Sequence, residues 1–228
     1  ESFLYDAQFI GVNNVIVVGS ESDTNSASHG VILHSTNGGN NWTSQSFTHH
    51  LRAVSFVDAN TGVAVGDFGI ILWTTDGGQT WVNKISGTNT HLSDVFCTGS
   101  QSAIAVGDNG IVLRTTDAGA AWANVWNSTS YYLGGLWFRD VNNGIVVGSD
   151  LLSGGIFLKT TDGGATWTQH NHIAEYLFKV ICVDINNWIV IGDKPYRSTN
   201  GGSTWQVVPA PVGDYMDLAL PSRDIYKP

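Results

Sequence analysis

The sequence predicts an all-β protein of the β-propeller class, built from four-stranded antiparallel blades. Three observations carry that reading. An eight-residue box recurs five times, as STNGGNNW (35–42), TTDGGQTW (74–81), TTDAGAAW (115–122), TTDGGATW (160–167) and STNGGSTW (198–205). Its tryptophans, Trp42, Trp81, Trp122, Trp167 and Trp205, lie 39, 41, 45 and 38 residues apart, near the period of propeller blades. Short runs of Val, Ile and aromatic residues bounded by Gly, Asp and Asn precede each box, and no stretch shows a helical period.

Each repeat holds four strand signals. Strand A opens at Leu4, Leu51, Leu92, Leu133 and Leu177, in LYDAQF, LRAVSF, LSDVFC, LGGLWF and LFKVIC. Apolar residues fall on both of its faces, the pattern of a sheet covered on both sides. Strand B ends in a Val-Gly or Ile-Gly landmark (VVGS, AVGD, AVGD, VVGS, VIGD). Strand C is the GIILWTT type (69–75), and strand D starts at the box tryptophan, as in WVNK (81–84). Blades are expected over 3–45, 46–84, 85–125, 126–169 and 170–208, in a single domain spanning 1–228. Within 209–228, YMDLALPSRDIY (215–226) resembles a strand A and B without a box, Leu218 and Leu220 echoing Val54 and Phe56. This is a partial sixth blade or a tail: either five blades carry an extension, or the chain is part of a larger six- or seven-bladed ring.

The box joins strands C and D by a tight hairpin. Asn37, Asp76, Asp117, Asp162 and Asn200 can accept from backbone N–H groups of the turn. The hydroxyls of Ser35, Thr74, Thr115, Thr160 and Ser198 can bond the same turn. Gly39, Gly78, Gly119, Gly164 and Gly202 supply a backbone angle that costs other residues energy. The tryptophan is expected to fold back on its blade. Burying an indole is worth roughly 4–6 kcal/mol as an upper bound, against ~1 kcal/mol for the turn acceptor. Tryptophan should therefore dominate, with the acid setting geometry.

With these residues in view, the box resembles the Asp-box, or BNR repeat, S/T-x-D-x-G-x-x-W, with Asn37 and Asn200 as the two departures. The fuller pattern, strand A followed by AVGDNGIVLRTTDAGAAW (105–122), is similar to the photosystem II stability/assembly factor-like propellers over about residues 3–208. The resemblance implies a structural box rather than an active site. It also implies an extracytoplasmic setting and a role in binding a membrane-protein precursor.

Composition narrows the function. With 10 basic and 19 acidic residues the net charge is −9, which disfavours nucleic acid and anionic membranes as partners. The acids are mostly Asp, which suits turns. No run of eighteen apolar residues is present. The chain opens on Glu1 rather than Met, and reads as a mature product or a fragment. Cys97 and Cys182 take the strand A place of Phe56 and Phe138, and are expected to be buried free thiols. Asp67, Asp108 and Asp193 follow the glycine landmark, where turn formation is the default and a calcium or ligand contact the alternative. No cofactor or metal site is expected, since the His pairs lack a metalloprotease helix and nearby Cys ligands.

In such blades the A–B and C–D loops share one face, and the B–C and D–A loops the other. The second face varies here. Long B–C insertions stand at 20–30 and 149–155, and the D–A connections carry His49, His50, His91, Trp126, Tyr131, Tyr132, His170, His172 and Tyr176. With His29, six of the seven histidines map there. Either these are ordinary polar loop residues and strand-entrance packing, or they form a recognition face for a protein or glycan. The preferred function is a non-catalytic extracytoplasmic scaffold that binds protein or glycan. The alternative is a sialidase-type glycan-processing enzyme, which needs converging arginines and a Tyr/Glu pair. The glutamates are Glu1, Glu21 and Glu175, and no HExxH, GxSxG, GxGxxG or P-loop is present.

Overall fold

A computed structural model describes residues 2–22, 28–150, 154–173, 176–184 and 186–209, with backbone alone at 171–173. The partial sixth blade at 215–226 lies outside the described residues. The fold is all-β and of the β-propeller class: five four-stranded antiparallel sheets, each laid down in chain order.

The first blade is β1 (Ser2–Phe9), β2 (Val15–Ser22), β3 (Ser28–Ser35) and β4 (Thr43–Phe47). The second is β5 (Leu51–Phe56), β6 (Gly62–Gly66), β7 (Ile71–Thr74) and β8 (Val82–Lys84). The third is β9 (Leu92–Gly99), β10 (Ser102–Gly107), β11 (Val112–Thr115) and β12 (Ala123–Trp126). The fourth is β13 (Tyr131–Phe138), β14 (Gly144–Asp150), β15 (Gly154–Thr160) and β16 (Thr168–Ile173). The fifth is β17 (Leu177–Cys182), β18 (Trp188–Gly192), β19 (Pro195–Ser198) and β20 (Gln206–Val207). Strand D begins one residue past the expected tryptophan, because that tryptophan closes the hairpin instead of pairing. The chain divides into two compact units, residues 1–105 with 113–124, and 106–112 with 125–228.

The glycine landmark has a steric cause. A Cβ on Gly66 would lie 1.9 Å from the His50 carbonyl oxygen, and one on Gly192 1.8 Å from that of Tyr176. Strand B crosses the entrance of strand A so closely that only hydrogen fits. At the other end of the A–B pair, volume is shared across the strands. Phe56 faces Gly62, Phe138 faces Gly144, and Cys182 faces Trp188. A large residue on one strand meets a small one on the other, which keeps core volume constant. Both cysteines are buried thiols outside any disulfide, and burial pushes the Cys182 thiol up to about 12.

Strand A is buried in four blades and open in one. Leu51, Leu92, Leu133 and Leu177 are each 0% exposed, whereas Leu4 at the same position of β1 is 52% exposed. The edge of β5 is satisfied by side chains of β1. The Val54 N–H donates to Asp6 Oδ2 at 2.9 Å, and the Phe56 N–H to Gln8 Oε1 at 2.8 Å.

The five boxes share one geometry. The backbone N–H four residues past the acid or amide donates to its Oδ1, at 2.9 Å for Asn37, Asp76, Asp162 and Asn200 and 3.0 Å for Asp117. Ser35, Thr74, Thr115, Thr160 and Ser198 donate to the same oxygen and accept from Gly39, Gly78, Gly119, Gly164 and Gly202. The residue just before that glycine also takes positive φ, and its N–H donates to the A–B loop of its own blade. Gly77 reaches the Asn60 carbonyl at 2.8 Å, and Ala118, the one non-glycine of the set, reaches Gln101 at 2.9 Å with φ 57.

Two expectations about the box need correction. Tryptophan burial is uneven: Trp167 is 7% exposed and Trp42 is 42% exposed, with Trp81, Trp122 and Trp205 between. The indole lies on the outer strands, where one side meets solvent, so the full transfer energy is not gained. The partner also varies. Trp81 and Trp167 pack edge-on against Phe56 and Phe138 of their own blades, but Trp205 stacks on Phe157 of the preceding blade. The box is thus a joint between blades as well as a hairpin. A Cβ on Gly78 would meet Ile16 Cδ1 at 2.7 Å. Gln45 Nε2 donates to the Gly78 and Gln79 carbonyls, and Lys159 Nζ to that of Gly201.

Candidate functional site

The site grows from the turn between β6 and β7. Asp67–Gly69 forms a single 3₁₀ turn, closed by the Ile70 N–H donating to the Asp67 carbonyl at 3.2 Å. The Asp67 N–H donates to the His50 carbonyl at 2.9 Å and pins the turn to the entrance of β5. The turn needs a left-handed residue at its centre, and Phe68 supplies it with φ 55 and ψ 28. That conformation is uncommon for a bulky residue and costs of order 1 kcal/mol.

Phe68 is 56% exposed. Its ring lies between two imidazoles, with centroids 5.0 Å from both His49 and His91, at interplanar angles of 51° and 55°. Beneath it, Asp67 is buried. Its carboxylate bonds the Arg52 Nε and lies 3.0 Å from His91 Nδ1 and 3.5 Å from His50 Nδ1. Burial alone would raise the Asp67 pKa. The hydrogen bond and charge of Arg52, with His91 and His50 nearby, outweigh burial and hold it below the usual value. His50 Nε2 also lies 2.7 Å from Ser28 Oγ. Asp67 therefore orients Arg52 and two imidazoles, while Phe68 and His49 face solvent.

Two open hollows adjoin this cluster. One, of about 490 Å³, is lined among others by His49, Phe68, Lys84 and Ile85. The other, of about 550 Å³, is lined by Ser46, Phe47, Thr48, Ile70, Leu72, Trp81 and Asn83. They share Thr48, Ile70 and Asn83.

Of the nine residues expected on the recognition face, the structure brings His49, His50 and His91 together. Tyr131 sits over the matching turn Asp108–Gly110: a Cβ on Gly110 would lie 3.1 Å from Tyr131 Cβ. Its hydroxyl donates to Gln169 Oε1 at 3.4 Å. Tyr132 follows it in β13 and packs beside Gly134. Trp126 ends β12 and is half-buried. Tyr176 is exposed, its backbone held by Asp193 through N–H and carbonyl bonds of 3.4 and 3.2 Å. His170 and His172 are a correction: both lie in strand β16, not in a D–A connection, His170 pairing with Phe157. His29 likewise lies within β3, opposite Glu21. Strand D is largely exposed, so the sequence reading ended β12 at Trp126 and β16 too early, while β3 and β13, with Tyr131 and Tyr132, begin earlier than expected.

Phe68 and Arg52 were not anticipated as site residues. The available signal was small: AVGDFG places Phe where the third repeat, AVGDNG, places Asn109. Among the described residues no group of three or more His, Cys, Asp or Glu is placed to hold a metal ion. No described helix is long and apolar enough to cross a membrane.

The family model described as photosynthesis system II assembly factor YCF48 matches residues 45–131, which include the Phe68 turn. A search of curated proteins finds no match. Among solved structures, YCF48 bound to D1 peptide is similar with TM-score 0.62 and 18% identity, covering 97% of this chain and 86% of that one. YCF48 from Cyanidioschyzon merolae gives TM-score 0.59 and 17% identity, covering 92% and 85%. The GH74 enzyme of Niastella koreensis gives TM-score 0.67 and 18% identity, but this chain spans 38% of its length. By family model and by fold, the chain is similar to the photosystem II assembly factor-like propellers.

Proposed function

We propose that this chain is a non-catalytic, extracytoplasmic scaffold that binds a protein partner through the face carrying Phe68, His49 and His91. One observation carries the reading: a large aromatic ring, more than half exposed, stands on a left-handed residue where the fold accepts Asn in the next blade. The fold does not require phenylalanine there, and exposed aromatic anchors dominate binding interfaces. A similar propeller has been seen bound to D1 peptide, which supports a peptide-bearing partner as the class. The extracytoplasmic setting rests on the Asp-box resemblance of the repeats.

Catalysis is the competing reading, because GH74 enzymes share the fold. Arg52, Arg139 and Arg197 bond three different partners, Asp67, Asp140 and Asn187. That scatter does not suit recognition of the carboxylate of a sialoside, and the uncharged xyloglucan is left to the assay. The test is to probe peptide and glycan arrays with the pure protein and to assay turnover of sialosides and xyloglucan. Peptide spots lost in Phe68→Asn support the scaffold. Turnover of either sugar, abolished by no change at Phe68, contradicts it.

A further inference from the structure

The two hollows beside Phe68 form one path. They meet at Thr48, Ile70 and Asn83, and are walled by the end of β4 on one side and by β7 and β8 on the other. β4 ends its sheet, so among the described residues one of its edges has no strand partner. Apolar side chains stand along the path: Phe47, Leu72 and Trp81 at one end, Phe68 and Ile85 at the other, with Ile85 87% exposed.

Charge along the path is one-sided. In a chain of net charge −9, neither hollow is lined by Asp or Glu, and the one charged lining residue is Lys84. From the Phe68 end, the exposed Arg52 side chain and the imidazoles add donors, and Asp67 is buried beneath them.

We infer that this path takes an extended peptide segment carrying a large apolar side chain followed by acidic residues, the apolar group entering the Trp81 hollow and the acids meeting Lys84 and the imidazole cluster. Two adjoining hollows that share Thr48, Ile70 and Asn83 suit an extended chain, and the absence of lining acids selects against a basic one. This rests on the protein-binding reading and adds to it the partner's chemistry and the route it follows.

Three acetylated, amidated octapeptides test it by calorimetric titration with the full chain: one with Phe and two Glu, one with Phe and two Lys, one with two Glu and no Phe. A xyloglucan oligosaccharide is titrated in parallel. Backbone amide resonances of residues 46–48 and 83–84 report the location. The Phe–Glu peptide is expected to bind about tenfold more tightly than either other peptide and to shift those resonances. Asn83→Trp, at an exposed position inside the groove, should weaken it about tenfold by filling the path. Lys84→Glu should reverse the preference between the Glu and Lys peptides. Equal binding of all three peptides, or shifts elsewhere, overturns the groove. If Phe68→Asn abolishes partner binding while Asn83→Trp and Lys84→Glu leave it unchanged, the scaffold reading stands and the groove falls. If the sugar alone shifts these resonances, both fall.

Discussion

The turns after β6 and after β10 have nearly the same backbone and opposite surfaces. Phe68 and Asn109 sit at φ 55 and 57, each followed by a left-handed glycine, and each turn closes by one N–H to the Asp carbonyl, at 3.2 and 3.3 Å. In the first, a phenyl ring stands between two imidazoles over a buried carboxylate. In the second, the Asn109 carbonyl accepts from the Ser128 N–H and the central side chain is an exposed polar one. The repeat therefore dictates the backbone and leaves the central side chain free. What occupies that position says more about function than the box does, although the box dominates the sequence.

The comparison can be broken from its largest effect downward. Gly66→Ala drives a Cβ to 1.9 Å from the His50 carbonyl and should cost about 2–4 kcal/mol, read as a lower urea midpoint. It removes the common scaffold and should disturb the turn and β5 together.

Arg52→Ala separates the two turns, since it strips the guanidinium from buried Asp67. The expected loss is about 1–2 kcal/mol, less than for a fully buried pair because Arg52 is part exposed. Asp67 is held below its ordinary pKa in the folded state, so the unfolded state binds its proton more readily. Its contribution is present above about pH 4 and fades as pH falls through the folded value. Arg52→Ala should flatten that acid-side loss.

The boxes give the same sign by another route. The Thr166 hydroxyl and N–H bond Asp162 and hold it down to about 2. Its contribution to stability is complete above about pH 4 and lost between there and about pH 2. Asp162→Asn, the residue used at positions 37 and 200, should keep the hairpin and remove that part of the pH dependence. Midpoints measured at pH 2.5 and 7 check it.

Ala118→Gly relieves a left-handed alanine, φ 57, where the other four boxes have glycine. A gain of about 0.5–1 kcal/mol in thermal unfolding is expected. The same change at Ala120, whose φ is not positive, should give no gain.

The repeat, the four strands, the hairpin and the tight glycine landmark were legible in the sequence, because periodic spacing and residue type report them directly. The glycine's reason, a carbonyl passing overhead, needed coordinates. Trp42 and Trp167 look identical in sequence yet differ in burial, since exposure depends on what packs outside the hairpin. Gln45 and Lys159, which tie boxes to their neighbours, carry no motif. Half of the site was legible as histidines in D–A connections. Its centre was not, because nothing in AVGDFG announces that Phe68 takes positive φ and stands outward.

The most direct test of the account compares wild type, Phe68→Asn and Asn109→Phe on one peptide array, with melting temperatures measured on the same samples. Because Asn suits a left-handed position better than Phe, Phe68→Asn should melt no lower than wild type and lose the peptide spots, while Asn109→Phe keeps them. Retention of every spot by Phe68→Asn at an unchanged melting temperature would contradict the claim that this turn is the binding surface.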